Sequence, residues 1–515
     1  MNFDPTMLRI DNEKQLFLDD LLIESAENIC RTWHRPVKED RNPLIKKDMP
    51  WEHEFESTCN GFQILRDTKE GLFKCWYGHS KNKASKKDDT RIMTRAEHSV
   101  LYAESRDGLK WIKPKVGQFL LDGMESNAVI THGFGLGVVL DPFEKDESMR
   151  FKGLYSSHSN GTDSDQVVVV TSGDGIHWRK HPEKPSFGSR GGQLDDVIIL
   201  NHDPDSRFFI INTRHYDQYA MARNLKNPVV GQFTPPYYPL DWRKINKRRI
   251  WQSESADMIH WSRPYPILTP QDSFDGLDET FYGMSQYRIG GTIIGFLTCF
   301  NYVSDTLGVK LVYSRDGKTW EHLNNRHLFI KMGDREEWDE FITAMPSKPI
   351  EAGDELLIYY GGARNHHDWW ITGGVEGLDV PEANDISLVD YGIGLARMRL
   401  DGFASLDTGV RPGILITRHF ISTGTQLEIN ASCDPGGSIT AEVVDAFDEV
   451  IKGFSREECD VFTGDNVRHV FTWKGQNNLP EVPGVRVVYP EPETKRLRKI
   501  RFFINKASLY SFTMK

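Results

Sequence analysis

The chain has 515 residues, 38% hydrophobic and 27% charged, so it is long for one domain and rich enough in apolar residues to bury a large core. A formal net charge of −11 with no long Lys/Arg run speaks against a nucleic-acid partner. No stretch is apolar enough to span a bilayer, and the start, "MNFDPTMLRIDNEKQL", lacks the apolar core of a secretory signal, so a cytoplasmic protein is expected, a removed leader aside.

Residues 1–50 form a lead-in whose "QLFLDDLLIES" reads as a strand and turn that can add to either neighbouring unit. From residue 51 to 403 one order recurs. An acidic or amide residue enters an apolar run, a turn follows, then a strand ending in aromatics, then a third strand. The first segment reads "NGFQIL", "LFKCWYG", "SVLYAESRDGLKW", and the second "NAVITHG", "FKGLYSS", "VVVVTSGDGIHW". The third has "DDVIILNHDPDSRFFIINTR" and "RIWQSESADMIHW", the fourth "TFYGMSQYRIGGTIIGFLTCF" and "VKLVYSRDGKTW". The fifth, "EFITAMPSKPIEAGDELLIYYGG" and "YGIGLARMRLDGF", keeps the strands. Five copies rich in β-branched and aromatic residues, with Gly, Asp and Pro at the joints, predict a five-bladed β-propeller.

A heptapeptide closes four segments: Ser105–Trp111, Ser172–Trp178, Ser255–Trp261 and Ser314–Trp320. Asp and Gly suit a tight turn, and Ser or Asp can bond local amides. An asymmetric ligand needs differing residues, so this repetition reads as scaffolding. Within "GGTIIG" the glycines mark a hairpin, not a dinucleotide loop, because no helix follows. From Ala404 to Lys515 short alternating strands predict a C-terminal antiparallel β-sandwich, read as a packing domain in preference to a sugar-binding module. Six cysteines (Cys30, Cys59, Cys75, Cys299, Cys433 and Cys459) without a CxxC pair read as reduced thiols.

The innermost strands of a propeller converge on its axis. Aligning the segments puts Asn60, Asn127, Asp196, Glu279 or Thr280, and Glu340 at comparable positions, preceded by Glu125, Asp195, Asp278 and Asp339. Clustered carboxylates are costly unless they bind a cation or do acid–base work. A protonated acid facing an ionised partner is what glycosidic cleavage requires. The catalytic pair is therefore expected among Asp195, Asp196, Glu279, Asp339 and Glu340. Asn127, Glu125 and Asp278 would contact substrate, together with loop residues Arg214 and His215 of "TRHYDQY" and Arg364, His366, His367 and Trp369 of "GGARNHHDWW". Arg223 is a further candidate clamp for an anion, and Trp370 could stack on a sugar ring. No organic cofactor and no transition-metal ligand set is expected, while a carboxylate and amide ring leaves room for a central Ca²⁺.

The five-segment pattern, the S-x-D-G-x-x-W turns, "NPLIKKDMPWE" before the first segment and "LLIYYGGA" in the fifth resemble the five-bladed propeller glycosidases. These include glycoside hydrolase families 32, 43 and 117 and the mannoside phosphorylases of family 130. The trailing sandwich is similar to that of family 32, and "FLDDLLIE", "DPFEKDESMRFKG" and "GFSREECDVFTGD" resemble uncharacterised family 32-like proteins. The W-M-N-D-P-N-G start, second-blade R-D-P and third-blade E-C of fructosidases are absent, so no residue role is carried over from them. The resemblance and the axial acids imply an exo-acting glycoside hydrolase on a terminal sugar, a furanoside or acidic sugar among the options, with an oligosaccharide or glycoside as partner. The alternatives are a glycoside phosphorylase of the mannoside type and a non-catalytic propeller lectin. Oligomeric state is left open, a homo-oligomer included.

Overall fold

Alternation of β-branched and aromatic residues between Gly/Asp joints produces strand almost throughout. The computed structural model describes residues 8–56, 61–81, 97–157, 166–186, 197–215, 247–271, 273–369, 379–481 and 495–515. Among them the chain is all-β, and helix is confined to single turns such as Pro381–Asn384.

Five antiparallel groups of strands, or sheets, follow one another, and the fourth and fifth are joined by the parallel bridge Leu307–Ile342. The first holds Phe62–Asp67, Leu72–Lys81 and Glu97–Ser105. The second runs Gly133–Leu140, Phe151–Ser157, Gln166–Ser172 and Arg179–Lys180, the third Ile198–His202, Phe209–His215, Arg249–Ser255 and Tyr265–Leu268. The fourth runs Glu279–Ile289, Thr292–Asn301, Thr306–Ser314 and Glu321–His322, with Gly290 and Gly291 in its first hairpin. The fifth joins Ile342–Ala344 and Ile350–Ala352 to Glu355–Ala363 and Tyr391–Arg399. Its outer edge is covered by Val37–Lys38 and Ile45–Lys46 from the lead-in, which removes an open strand edge.

Each sheet buries an apolar cluster against the next. Trp76 and Tyr102 meet Phe151 and Val170; Leu154 and Val169 meet Ile198 and Trp261; Ile250 and Leu268 meet Phe281 and Val312. Phe296 and Val309 meet Met345 and Ile358, and Leu357 and Tyr359 return to Phe62 and Cys75 of the first sheet. The sheets therefore close into a ring.

The four heptapeptides sit at one end of this ring and share one pattern. The Ser Oγ accepts the N–H of the fourth motif residue at 2.8–2.9 Å. The Asp Oδ1 accepts the next two backbone N–H groups at 2.7–2.8 Å. The Trp indole donates to the fourth residue's carbonyl. That residue is left-handed in every copy, glycine in three and Met258 in the loosest. Three of these carbonyls also accept a bond from the preceding sheet: Gly108 from Tyr359 at 2.8 Å, Gly175 from Trp76 at 2.7 Å and Gly317 from Gln252 at 3.2 Å. The motif thus latches one sheet to the next.

The second unit centres on Leu497–Met514, which pairs with Ala404–Asp407, Gly413–Thr417, Phe420–Ile421 and Leu427–Val444. Its strands enclose an apolar core that includes Ile429, Phe471, Trp473, Phe502 and Phe512. The lead-in is divided between the two units: Leu8–Arg9, Gln15–Leu16, Ile23–Glu27 and Cys30–Trp33 join the C-terminal strands, whereas residues 37–46 close the ring. Ion pairs Lys14–Asp401, Asp19–Arg315 and Asp354–Arg468 tie the units together. The five described cysteines are free thiols, and no helix among the described residues is long and apolar enough to cross a membrane.

Candidate active site

Several residues predicted at the starts of inner strands are occupied by partners. One of them, Asn127, starts no inner strand: Ala128–Thr131 pairs with Glu97–Ser105 as the outer strand of the first sheet, and the second sheet begins instead at Gly133–Leu140. Glu279 is 5% exposed, and both its carboxylate oxygens accept from Lys310 Nζ, at 2.6 and 2.7 Å. Its strand-mate Phe281 belongs to the cluster between the third and fourth sheets, so Glu279 shares that interior face. Asp339, 1% exposed, accepts from Tyr360 Oη at 2.9 Å and pairs with Lys38 at 2.6 Å. Asn127 is fully buried, donating to Tyr77 Oη and the Tyr102 carbonyl while accepting from the Trp51 indole.

The remaining candidates scatter. Glu125 is exposed on the small hairpin of Leu120–Leu121 and Met124–Glu125. Asp278 accepts the Val303 N–H at 3.1 Å, and Glu340 accepts the Glu336 N–H at 2.8 Å. Arg364 is exposed, whereas Trp369 is buried at 8% and packs instead of presenting a stacking face. Asp195, Asp196, Asn60, Arg223, Trp370 and the His215 side chain lie outside the described residues.

The loop end, opposite the heptapeptides, brings Arg214, His366 and His367 together with residues the motif reading missed. The turn "NYVSDT" links Thr292–Asn301 to Thr306–Ser314 and puts Asp305 in the left-handed region at φ 53, which aspartate tolerates. The loop leaving Glu355–Ala363 lands on this turn. His367 N–H donates to the Asp305 carbonyl at 3.2 Å, and Asp368 N–H donates to Asp305 Oδ1 at 2.8 Å. Burial and the charge of Asp368 push the Asp305 carboxyl up to about 7, against the stabilising Asp368 amide. With Oδ1 accepting that amide, the proton belongs on Oδ2.

Around this carboxyl the polar groups differ from sheet to sheet. His367 Nε2 is 2.9 Å from Tyr282 Oη and 3.6 Å from Asp368 Oδ1. The Arg214 and Arg248 guanidinium groups lie over the Tyr282 ring, 3.7 and 4.8 Å from its centroid. Thr280 Oγ1 accepts the Arg248 N–H at 2.6 Å and orients that segment. His366 packs against Phe341, with ring centroids 4.0 Å apart and planes tilted by 39°, and bonds through Nδ1 to Glu382 Oε1 at 2.8 Å. That bond holds His366 above its ordinary pKa, helped by the nearby charges of Asp305 and Glu340 and opposed by burial. Glu382 Oε1 also accepts the His366 N–H at 2.9 Å, while Oε2 is buried without a hydrogen-bond partner among the described residues.

Chemically, this arrangement combines a carboxylic acid that keeps its proton near neutrality, an adjacent carboxylate, an imidazole biased toward its charged form and two guanidinium groups. Among the described residues no group of three or more His, Cys, Asp or Glu could hold a metal ion; Asn60, Asp195 and Asp196 of the ring on which a central Ca²⁺ would depend lie outside them.

No protein-family model matches the chain, and no curated protein does. Among solved structures it is similar to a β-1,2-mannobiose phosphorylase from Listeria innocua in complex with β-1,2-mannobiose, at 11% identity over 72% of this chain and 97% of that one, TM-score 0.45. An N-acetylgalactosamine deacetylase from F. plautii in complex with blood group B trisaccharide matches at 15% identity over 72% and 96%, TM-score 0.44. A family 43 arabinoxylan arabinofuranohydrolase from Bacillus subtilis in complex with cellotetraose matches at 10% identity over 93% and 99%, TM-score 0.40. Each is a likeness of low identity and low TM-score, and the site is read from its own residues.

Proposed function

We propose that this chain is a glycoside hydrolase acting on a terminal sugar, with the chemistry at the loop end of the ring between the fourth and fifth sheets. The observation that carries this reading is Asp305, a half-buried carboxyl with pKa pushed up to about 7 beside the Asp368 carboxylate. Glycosidic cleavage needs one protonated carboxyl to give a proton to the leaving oxygen and a second, ionised one as base or nucleophile. Asp305 Oδ2 donates that proton, and Asp368 is the partner carboxylate. Glu382 Oε2 accepts a sugar hydroxyl, and Tyr282 and His367 form one wall.

Phosphorolysis is the second reading. One observation favours it: two guanidinium groups, Arg214 and Arg248, lie over the ring of Tyr282, whose hydroxyl bonds His367, a setting suited to an oxyanion. A panel of aryl furanosides, pyranosides and uronides, assayed with and without phosphate, decides between the two. Hydrolysis is expected without phosphate, and it should fall at least about a hundredfold in Asp305→Asn. Turnover only with phosphate selects phosphorolysis. Failure of every glycoside in both conditions rejects both.

A further inference from the structure

The C-terminal unit contains a buried guanidinium with two nitrogens that have no hydrogen-bond partner among the described residues. Lys495 and Arg496 just before Leu497–Met514, and Arg498, Lys499 and Arg501 within it, put five basic residues around the start of that strand. Three of them have acidic partners. Lys499 Nζ lies 2.7 Å from Glu24 and 2.8 Å from Asp448, Arg501 is 2.9 Å from Glu442, and Arg496 is 3.5 Å from Glu481. Arg498 is different: it is 1% exposed, and its Nε and Nη1 are buried with no hydrogen-bond partner among the described residues.

Strand alternation explains where this side chain sits. Ile500, Phe502 and Ile504 line the apolar core, and Arg498 shares their parity, at the end of that face. Burial, together with the charge of Arg496, lowers its pKa to about 10, opposed by Glu481. Taking the Nε and Nη1 donors of a guanidinium out of water with no acceptor is a large cost to the fold.

We infer that Arg498 anchors a binding site for a small organic carboxylate at this end of the C-terminal sheet. A carboxylate oxygen accepts a charge-assisted hydrogen bond from the unpartnered Nε or Nη1. Because the side chain is almost fully covered, entry needs a local opening of the sheet's end, so association is slow. The site is separate from the loop end and stands whatever reaction is carried out there.

The test is thermal unfolding and calorimetry of the full chain with sodium acetate or galacturonate, against sodium chloride and sodium phosphate at equal ionic strength. The native chain is expected to gain about 2 °C or more in Tm with saturable carboxylate binding. Arg498→Met should lose that gain and, in chloride, unfold no earlier than the native chain, because it removes an uncompensated buried charge. Arg498→Lys, which keeps the charge without the planar fork, should retain less than half of the gain. The inference is overturned by no carboxylate response in the native chain, by an equal response in Arg498→Met, or by a response to phosphate alone. It is equally overturned if Arg498→Met fails to fold or is clearly destabilised in chloride, since the guanidinium would then already have an internal partner.

Discussion

The two ends of the same five sheets are built on opposite rules. At the heptapeptide end, four turns repeat one set of bonds, with aspartate-to-amide distances all within 2.7–2.8 Å. At the loop end the fourth sheet supplies Asp305 and Tyr282, the fifth His366, His367 and Asp368, and the third Arg214 and Arg248. Repetition serves the ring, because every interface between sheets needs the same closure. Asymmetry serves chemistry, because a single substrate must meet different groups on its different sides.

Substitutions at the two ends should therefore separate activity from stability. The largest effect is expected for Asp305→Asn, which should lower kcat/KM at least about a hundredfold without lowering the melting temperature. In the native chain, kcat/KM should fall as pH rises through about 7, where Asp305 loses its proton. The same titration sets the sign for stability. A raised carboxyl pKa favours the native state below the unfolded value near 4, and that contribution is lost as pH rises through about 7. Asp305→Asn should flatten this alkaline loss, read as Tm against pH.

Next in size is Gly175→Ala. Gly175 has φ 77, and an added Cβ would lie 2.6 Å from the Trp76 ring, the residue it latches. Gly71, with φ 68 and open space around it, is the matched control. Urea unfolding should show a cost of about 3 kcal/mol for Gly175→Ala and about 1 kcal/mol for Gly71→Ala. Equal costs would mean that the latch contributes nothing beyond backbone strain.

Asp174→Ala should cost about 1–2 kcal/mol through its lost amide bonds, with kinetics of the folded enzyme intact. Burial would raise the Asp174 pKa, but the bonds from His177 and the Ile176 and His177 amides hold it well below the usual range. Its contribution is therefore present above about pH 4 and lost as pH falls, so native and variant stabilities should converge in acid. The smallest effect is expected for Tyr359→Phe, about 1 kcal/mol from the single hydroxyl that ties the fifth sheet to Gly108 of the first.

The sequence made the heptapeptide end far more legible than the loop end, for a physical reason. A turn bonds within seven residues, so S-x-D-G-x-x-W carries its whole geometry locally. The all-β texture was likewise local, in the strand composition and the joints. Asp305 and Asp368 stand 63 positions apart and meet only because the fifth sheet's loop folds over the fourth sheet's hairpin. In "NYVSDTLG" the aspartate reads as an ordinary turn residue. His366 and His367 were visible as a polar loop after a strand, yet their partners Glu382 and Tyr282 come from other elements. Position at a strand start was a weaker guide. It does not say which face a side chain takes, and Glu279 and Asp339 went to lysines in the interior. Trp369 looked like a stacking platform and is instead buried.

The central claim is that the loop end holds a carboxylic acid protonated near neutrality, and it can be tested without knowing the substrate. The carboxyl carbon of Asp305, assigned by its disappearance in Asp305→Asn, can be titrated by ¹³C NMR in selectively labelled protein. The expected result is a midpoint near 7 that moves down in Asp368→Asn, because the neighbouring charge is one of its causes. A midpoint near 4, as for an ordinary carboxylate, would contradict the assignment of Asp305 as the acid.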